Sequence, residues 1–165
     1  MSATAFIGLG GNLGDVRTRL HAAIAALDAA PGLRVTRRSR LFSTPPWGQL
    51  DQPHFINAAI SVSTTLTPHA LLDTLLSVEE AFGRVRQGER WGPRTLDLDL
   101  LAFGDATIAD DRLTVPHPRM AERAFVLLPL ADIASESVLP GLGRVSDLLE
   151  AVDASGCRAL PRAVP

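Results

Sequence analysis

The segment that most restricts the fold is residues 95–100, which read TLDLDL. Leucines alternate with Asp97 and Asp99, and successive side chains of a β-strand point to opposite faces. This pattern predicts a strand with one face in an apolar core and two carboxylates together on the other face. Like charges on one face repel each other, so a divalent cation is a natural partner for them. The alternative is a half-buried strand whose solvent face carries two aspartates.

Four arginines lie in residues 83–94, immediately before that strand, and a single glutamate opposes them. Arginine binds phosphate oxygens through paired donors, so this loop and the aspartates together predict a phosphate clamp that faces a metal. All 16 basic residues are arginine, which excludes chemistry that requires a lysine. The glycines of the loop favour a mobile lid. A solvated loop whose arginines form ion pairs with Asp97 and Asp99 is the alternative.

A length of 165 residues favours one domain, residues 1–160, followed by a frayed tail at 161–165. Hydrophobic residues make up 46% of the chain without any apolar run of the roughly 18 residues that a membrane span needs. No signal peptide is recognisable at the amino terminus, and Cys157 is the single cysteine, so we expect a cytoplasmic protein. A net charge of −2 argues against nucleic-acid binding.

Hydrophobic periodicity predicts strands at residues 3–9, 33–42, 55–62 and 95–101. Asp15 and Thr67 are predicted to cap two helices, and residues 43–49 are predicted to be a loop. Further on, the sequence predicts a turn or hairpin at 105–115, a partly helical segment at 119–133 and a helix at 145–152. The order βαββαβ indicates a ferredoxin-like core, with helices on one face of a mainly antiparallel sheet. With the additional C-terminal elements, we expect an α+β fold with three α/β/α-like layers.

Two further segments favour a ring-shaped ligand and its phosphates. Phe55 and Asn57 share one face of a predicted strand, and a stacking ring beside an amide suits a flat heterocycle. Trp47 lies in the preceding loop. His117 is a candidate phosphate or ribose contact. All four are equally compatible with structural roles, as a core ring, a strand-edge amide, a loop anchor and a turn residue.

Residues 83–99 closely resemble the signature of the 6-hydroxymethyl-7,8-dihydropterin pyrophosphokinase family. The likeness extends to the GNLG turn, the TPPWG loop, residues 57–59 and residues 113–117, and so covers the chain up to about Pro140. The resemblance implies a ferredoxin-like enzyme of folate biosynthesis that transfers pyrophosphate from ATP to the hydroxymethyl group of the pterin and releases AMP. It implies magnesium at Asp97 and Asp99. Two ions are the family's number, whereas the residues themselves require only one.

The resemblance also implies roles for individual residues. Arg84 and Arg94 would assist the transfer from loops. The residues expected to bind ATP are Glu79, Arg86, Trp91, Leu100, Arg112, Thr114, His117 and Arg123. Those expected to bind the pterin are Thr44, Pro45, Trp47, Phe55, Asn57, Trp91 and Phe125, with the ring between the two phenylalanines. We expect a monomer that can associate with other folate-pathway enzymes.

The chain departs from the family pattern at three positions. Phe55 stands where tyrosine is frequent, which preserves stacking, and Gly11 replaces a serine. Leu76 stands where a glutamine contacts the nucleotide, so one contact on the adenine side is in doubt. Two other functions use the same features: an RNA-binding module of ferredoxin-like fold, which the acidic pair and net charge oppose, and a metal-dependent phosphatase or nucleotidyl transferase built on the same aspartates.

Overall fold

The structure is a computed structural model that describes residues 2–46, 51–82 and 95–161. Its strands are β1 (Ala3–Gly11), β2 (Leu33–Arg38), β3 (Phe42–Thr44), β4 (Phe55–Thr64), β5 (Asp97–Phe103), β6 (Ile108–Ala109), β7 (Thr114–Val115), β8 (Val138–Leu139), β9 (Gly143–Arg144) and β10 (Arg158–Ala159). The helices are α1 (Val16–Ala29), α2 (Pro68–Ala81), α3 (Ala124–Ala134) and α4 (Val145–Glu150), with a short 3-10 turn at Met120–Glu122. None of the helices in these ranges is long and apolar enough to cross a membrane.

The main sheet is built on β1, which pairs with β4 on one side and β5 on the other. Its order is β10-β3-β4-β1-β5, and β2 pairs with the far half of β4. All of these pairs are antiparallel. Two small hairpins, β6 with β7 and β8 with β9, lie outside the sheet. The described chain is therefore a mixed α/β protein whose sheet is antiparallel, as the sequence predicts.

Helices cover both faces of the sheet. Ile7, Ile60 and Leu100 belong to the apolar cluster that contains the buried residues of α1 and α2. Ala59 and Leu101, which are adjacent in sequence to two of these residues and point the other way, belong to the cluster that contains the buried residues of α3. Three layers are present: α1 and α2, the two helices of the predicted core, share one face as expected, and α3, one of the additional C-terminal elements, packs on the other.

Both predicted helix caps are present. The carboxylate of Asp15 accepts from Thr18 N at 3.1 Å, and the hydroxyl of Thr67 accepts from Ala70 N at 3.2 Å. Each bond satisfies an amide that the first turn of a helix leaves unpaired. Pro68 follows Thr67 at the first helical position, where its missing N–H is harmless. These local signals explain why α1 and α2 begin where the sequence predicts.

The predicted strand at 33–42 is interrupted, and the predicted loop begins two residues later than expected. Ser39 causes the interruption: its N–H donates to Ala59 O at 2.8 Å, and its hydroxyl accepts from Ala59 N at 2.9 Å. A side-chain oxygen thus takes the place of a backbone carbonyl in the ladder, which ends β2 and restarts pairing at β3. Ser43 and Thr44, assigned to the loop from sequence, pair with β4.

The last part of the chain completes the sheet. β10 pairs with β3, opposing Arg158 to Ser43, and a Cβ at Gly156 would lie 2.9 Å from Pro45 Cγ. Gly156 has φ 86°, a left-handed conformation that glycine adopts without strain. The C-terminal segment therefore lies directly against the Thr44–Pro45 segment. Among the other late elements, the predicted hairpin and helices are present as β6 with β7, α3 and α4.

Candidate active site

The two aspartates of β5 lie on the face of the sheet that α3 covers. Asp99 lies opposite Gly8 and Asp97 opposite Gly10, and directly opposed residues of antiparallel strands share a face. Ala59, which also opposes Gly8, belongs to the cluster beneath α3. Asp99 is exposed and Asp97 half-buried. The predicted placement of both carboxylates on one face of a strand is therefore confirmed.

Across Gly10 from Asp97 lies a buried corner formed by Gly10, Thr44 and Asn57. Asn57 opposes Gly10 on β4, and its Nδ2 donates to Thr44 Oγ1 at 2.6 Å. Thr44 is 1% exposed and Asn57 8% exposed. A Cβ at Gly10 would lie 2.2 Å from Asn57 Oδ1, closer than any real contact, so the amide occupies the space that a side chain at position 10 would need. The glycine of β1 thus determines where the predicted pterin-binding amide lies.

The other residues assigned to the pterin are near this corner. Phe55 lies two residues before Asn57 on β4 and so shares its face, and it opposes Thr44 on β3. Phe125 is at the start of α3, the helix that packs over this face of β4. The structure therefore brings both rings to the same side of the sheet. Pro45 is exposed at the end of β3.

Two polar residues that the sequence did not single out join distant segments of this region by hydrogen bonds. Asn12 is buried after β1, and its Nδ2 donates to Gln52 Oε1 and to Pro53 O, both at 2.9 Å. Arg19 of α1 donates from Nη1 to Thr95 O at 3.0 Å, just before β5. These bonds join residues that are 40 to 76 positions apart, so local sequence patterns do not predict them. The sequence signal for Asn12 was its place in the glycine-rich turn.

A group of positive charge faces the aspartates from the start of α3. Burial lowers the pKa of Arg123, and electrostatic attraction to Asp99 opposes that shift. The Arg123 Cζ lies 5.5 Å from the centroid of the Phe125 ring, a cation–π distance. The predicted ATP contact Arg123 and the predicted pterin contact Phe125 are thus neighbours. The residues predicted for the phosphates and for the ring therefore meet at the start of α3.

His117 is neutral at physiological pH. Burial, with the positive charges of Arg123 and Arg119, lowers the pKa of His117 from 6.5 to about 4. Its backbone N–H donates to Leu101 O at 2.8 Å, and its Nδ1 accepts from Arg119 N at 3.3 Å. Because Nδ1 is an acceptor, the ring proton of the neutral form is on Nε2. His117 can therefore donate a hydrogen bond from Nε2 to a phosphate or hydroxyl oxygen.

The remaining ATP assignments lie along the side of β5 that does not pair with β1, which we call the outer edge. Glu79 of α2 is 1% exposed, and its Oε2 accepts from Leu98 N at 2.7 Å. The backbone N–H of Leu98 therefore points away from β1. Because these directions repeat every two residues along a strand, the N–H of Leu100 points the same way. The side chain of Leu100 lies in the α1/α2 core, so only its backbone can reach a ligand at this edge.

The hairpin β6–β7 forms the exposed part of the outer edge. Thr114 is exposed on β7. Arg112 precedes it, and its Nη2 donates to Asp73 of α2. His69 and Asp110 form a second contact between α2 and the hairpin at 2.7 Å. The structure therefore holds the hairpin against α2 through exposed charged groups, and one of them is the predicted ATP contact Arg112.

Five assigned residues lie outside the described residues: Arg84, Arg86, Arg94, Trp47 and Trp91. Within the described ranges, no cluster of three or more histidine, cysteine, aspartate or glutamate side chains could hold a metal ion. The pair Asp97 and Asp99 nevertheless suits Mg²⁺, which proteins usually hold through one or two carboxylates while phosphate oxygens and water complete the shell. The donor set thus fits magnesium bound together with a phosphate ligand.

Comparison with known proteins gives one consistent result. The protein from Methylorubrum extorquens named 2-amino-4-hydroxy-6-hydroxymethyldihydropteridine pyrophosphokinase is 50% identical over 152 residues, covering 92% of this chain and 95% of the relative. A protein of the same name from Pseudomonas aeruginosa is 44% identical over 158 residues, covering 96% and 97% of the two chains. These alignments span nearly the full length of each relative.

Solved structures show the same fold. The crystal structure of Plasmodium falciparum HPPK-DHPS with STZ-DHP aligns with a TM-score of 0.75 over 92% of this chain, at 16% sequence identity. This chain spans 43% of that longer chain. Residues 6–135 match the family described as 7,8-dihydro-6-hydroxymethylpterin-pyrophosphokinase (HPPK). The match includes β5, the buried corner and α3, and the chain belongs to this pyrophosphokinase family.

Proposed function

We propose that this pyrophosphokinase carries out its reaction between the buried corner and the outer edge, with Asp97 and Asp99 holding magnesium. The reaction transfers pyrophosphate from ATP to 6-hydroxymethyl-7,8-dihydropterin in folate biosynthesis. The observation that supports this location is the register of β1, which opposes Gly10 to both Asp97 and Asn57. A metal-ligand candidate and a heterocycle-binding candidate thereby flank the same glycine.

The chemistry is a displacement at the β-phosphorus of ATP. The hydroxymethyl oxygen of the pterin forms a bond to that phosphorus, the bond to the oxygen that bridges the α- and β-phosphates breaks, and AMP leaves. The hydroxyl proton passes to water. Such a transfer depends on positioning and on neutralising phosphate charge more than on covalent help. When bound, Mg²⁺ would supply charge neutralisation and orient phosphate oxygens.

The residues of the chain divide this work by location. Asn57 and the Thr44–Pro45 backbone would bind the edge of the pterin, with Phe55 and Phe125 on its faces. Arg123 would meet the transferring phosphates, because its guanidinium is attracted electrostatically to Asp99. The neutral imidazole of His117 would donate to a phosphate oxygen from Nε2.

The other ATP assignments support the nucleotide from the outer edge. Arg112, Thr114 and the backbone of Leu100 would contact it there, and Glu79 would act through Leu98. Arg84 and Arg94 would assist the transfer. Arg86 would contact ATP, Trp47 the pterin, and Trp91 both ligands. These roles, like the presence of two magnesium ions, the monomeric state, the cytoplasmic location and association with other folate enzymes, are predictions.

We also propose that the core is ferredoxin-like. Leaving aside the interruption between β2 and β3, the chain runs strand, helix, strand, strand, helix, strand from β1 to β5. Its strands have the order β2/β3, β4, β1, β5, and all pairs are antiparallel. This connectivity is what a split βαβ unit requires.

The location is tested with Asp97→Asn and Asp99→Asn, which keep side-chain size and remove the charge. Each variant is expected to lose more than about 100-fold in kcat while retaining its unfolding midpoint, because metal and phosphate lose an essential ligand. Pterin-dependent AMP formation is measured against magnesium concentration. Asp105→Asn changes an exposed aspartate beyond β5 and serves as the matched control.

Either aspartate variant retaining a tenth of wild-type activity would contradict the metal assignment. AMP formed equally well without pterin would indicate a hydrolase, and ADP would indicate transfer of a single phosphate. Both outcomes separate the pyrophosphokinase reaction from the phosphatase and nucleotidyl transferase alternatives.

A further inference from the structure

A cavity lies on the side of the sheet away from the aspartates. It has a volume of about 300 Å³ and is formed between α1, the connection from β2 to β3, and the residues that follow β10. The residues that line it are Arg17, His21, Arg38, Ser39, Arg40, Leu41, Leu160 and Pro161. Leu41 and Leu160 pack with the α1/α2 core, whereas Asp97 and Asp99 point to the α3 face. The cavity and the candidate active site are therefore separate.

The cavity concentrates positive charge. Three arginines and a histidine line it, and none of the described lining residues is acidic. Arg40 is paired with Asp132 at 3.1 Å, but neither Arg17 nor Arg38 forms an ion pair within the described ranges. Arg17 attracts the carboxylate of Asp15, which is already bonded to Thr18 at the start of α1. Arg17 and Arg38 thus line the cavity with positive charge that no ion pair within the described ranges neutralises, which focuses a positive potential there.

The walls of the cavity are held in place by their own bonds. The backbone N–H of Arg40 donates to Asp132 Oδ2 at 2.8 Å, and the Arg40 Cζ lies 5.6 Å from the centroid of the Phe42 ring. Leu160 N donates to Leu41 O at 2.8 Å, which fastens the C-terminal wall to the β2–β3 connection. A ligand would therefore meet a preformed wall, which lowers the entropic cost of binding.

We propose that this cavity is a second ligand site that binds a small molecule carrying phosphate groups. Guanidinium groups match phosphate geometry, and Leu41, Leu160 and Pro161 offer an apolar wall for the organic part of such a ligand. The volume is that of a small ligand pocket, which favours a compact anion over an extended acidic peptide. The proposal is independent of the pyrophosphokinase reaction, since none of these residues belongs to the candidate active site.

The test uses the full chain in buffer with EDTA, so that metal-dependent binding at the aspartates is suppressed. Inorganic tripolyphosphate and uridine diphosphate are titrated separately, and backbone amide shifts are followed by two-dimensional NMR. Saturable shifts are expected at Ser39, Leu41 and Leu160. In the double variant Arg17→Gln/Arg38→Gln, affinity at these amides is expected to fall at least about 100-fold, tenfold for each charged contact removed. Pyrophosphokinase activity should be unchanged.

Arg34→Gln is the matched control, because Arg34 is exposed on β2 and does not line the cavity. Tighter binding of uridine diphosphate than of tripolyphosphate would identify an organic phosphate, and the reverse order an inorganic one. The proposal is overturned if shifts occur only near Asp97 and Asp99, or if the control and the double variant lose affinity equally. Binding of a hexaglutamate peptide, with neither phosphate compound binding, would also overturn it and indicate an acidic protein partner.

Discussion

The buried corner and the outer edge of the same sheet are built in different ways. In the corner, Asn57 lies between Gly10 and Thr44 in a solvent-excluded space, so the position of its amide depends on both. At the outer edge, Arg112 and His69 meet their carboxylates in exposed pairs, which exchange partners at little cost. The corner suits recognition of one rigid ring, whereas the edge suits a charged ligand that must enter and leave.

The largest effect is expected from Gly10→Ala, which tests the dependence within the corner. The new methyl group would lie 2.2 Å from Asn57 Oδ1 and force the amide away from Thr44. We expect kcat/KM for the pterin to fall about 100-fold, as a displacement of about 1 Å can cause, and the free energy of unfolding to fall by about 1–3 kcal/mol. The KM for ATP should not change. Steady-state kinetics and urea unfolding measure these quantities.

Gly8→Ala is the control, because its methyl group would meet the Leu101 side chain at 3.5 Å, an ordinary contact distance. Gly8 lies on the same strand and face as Gly10. If the two alanine variants lose pterin efficiency equally, the corner is not the feature that holds the amide in place.

An intermediate effect is expected from His117, which is half-buried after β7. Between pH 6.5 and about 4, His117 is protonated in the unfolded chain but remains neutral in the folded protein. The free energy of unfolding therefore falls as the pH falls through this range. After allowance for solvent screening, this contributes about 1–3 kcal/mol. His117→Asn should lessen the loss of stability between pH 7 and pH 4.5, as measured by urea unfolding at each pH. Parallel curves for the variant and wild type would show that His117 titrates normally.

The smallest effect is expected from Asp73→Asn at the outer edge. The exposed pair with Arg112 stabilises the fold by less than about 1 kcal/mol, so the unfolding midpoint should hardly move. Freed from Asp73, Arg112 should bind ATP more strongly, lowering the KM for ATP about two- to fivefold. The matched control is Glu136→Gln, which breaks the exposed pair with Arg144 in the β8–β9 hairpin. A rise in the KM for ATP would show that Asp73 positions Arg112 productively.

Much of the fold follows from local patterns in the sequence. Apolar runs indicate β1 and β4, the alternation of leucine with aspartate indicates β5, and the caps Asp15 and Thr67 determine where two helices begin. The pairing of the aspartates on one face follows from the two-residue period of a strand. These features depend on neighbours a few residues apart, which is why the sequence alone predicts them.

The remaining features depend on contacts between distant positions. The interruption after β2 arises because the hydroxyl of Ser39 replaces a backbone carbonyl opposite Ala59, twenty residues away. The contact between Gly10 and Asn57 requires the register of β1 and β4, and Arg19 reaches Thr95 across 76 residues. No periodicity carries such information. The sequence therefore supplies candidate residues for the site, whereas the contacts between them come from the fold.

The pairing of β10 with β3 has a consequence for the order in which the protein is made. Domains assemble while the chain emerges from the ribosome with its N-terminal part first. Until residue 159 has emerged, the outer side of β3 lacks its partner strand, β10. Gly156 cannot yet pack against Pro45. An unpaired strand edge can recruit other chains. β3, beside the proposed pterin site, is thus synthesised early, but its free edge is paired only when the last strand of the sheet has been made.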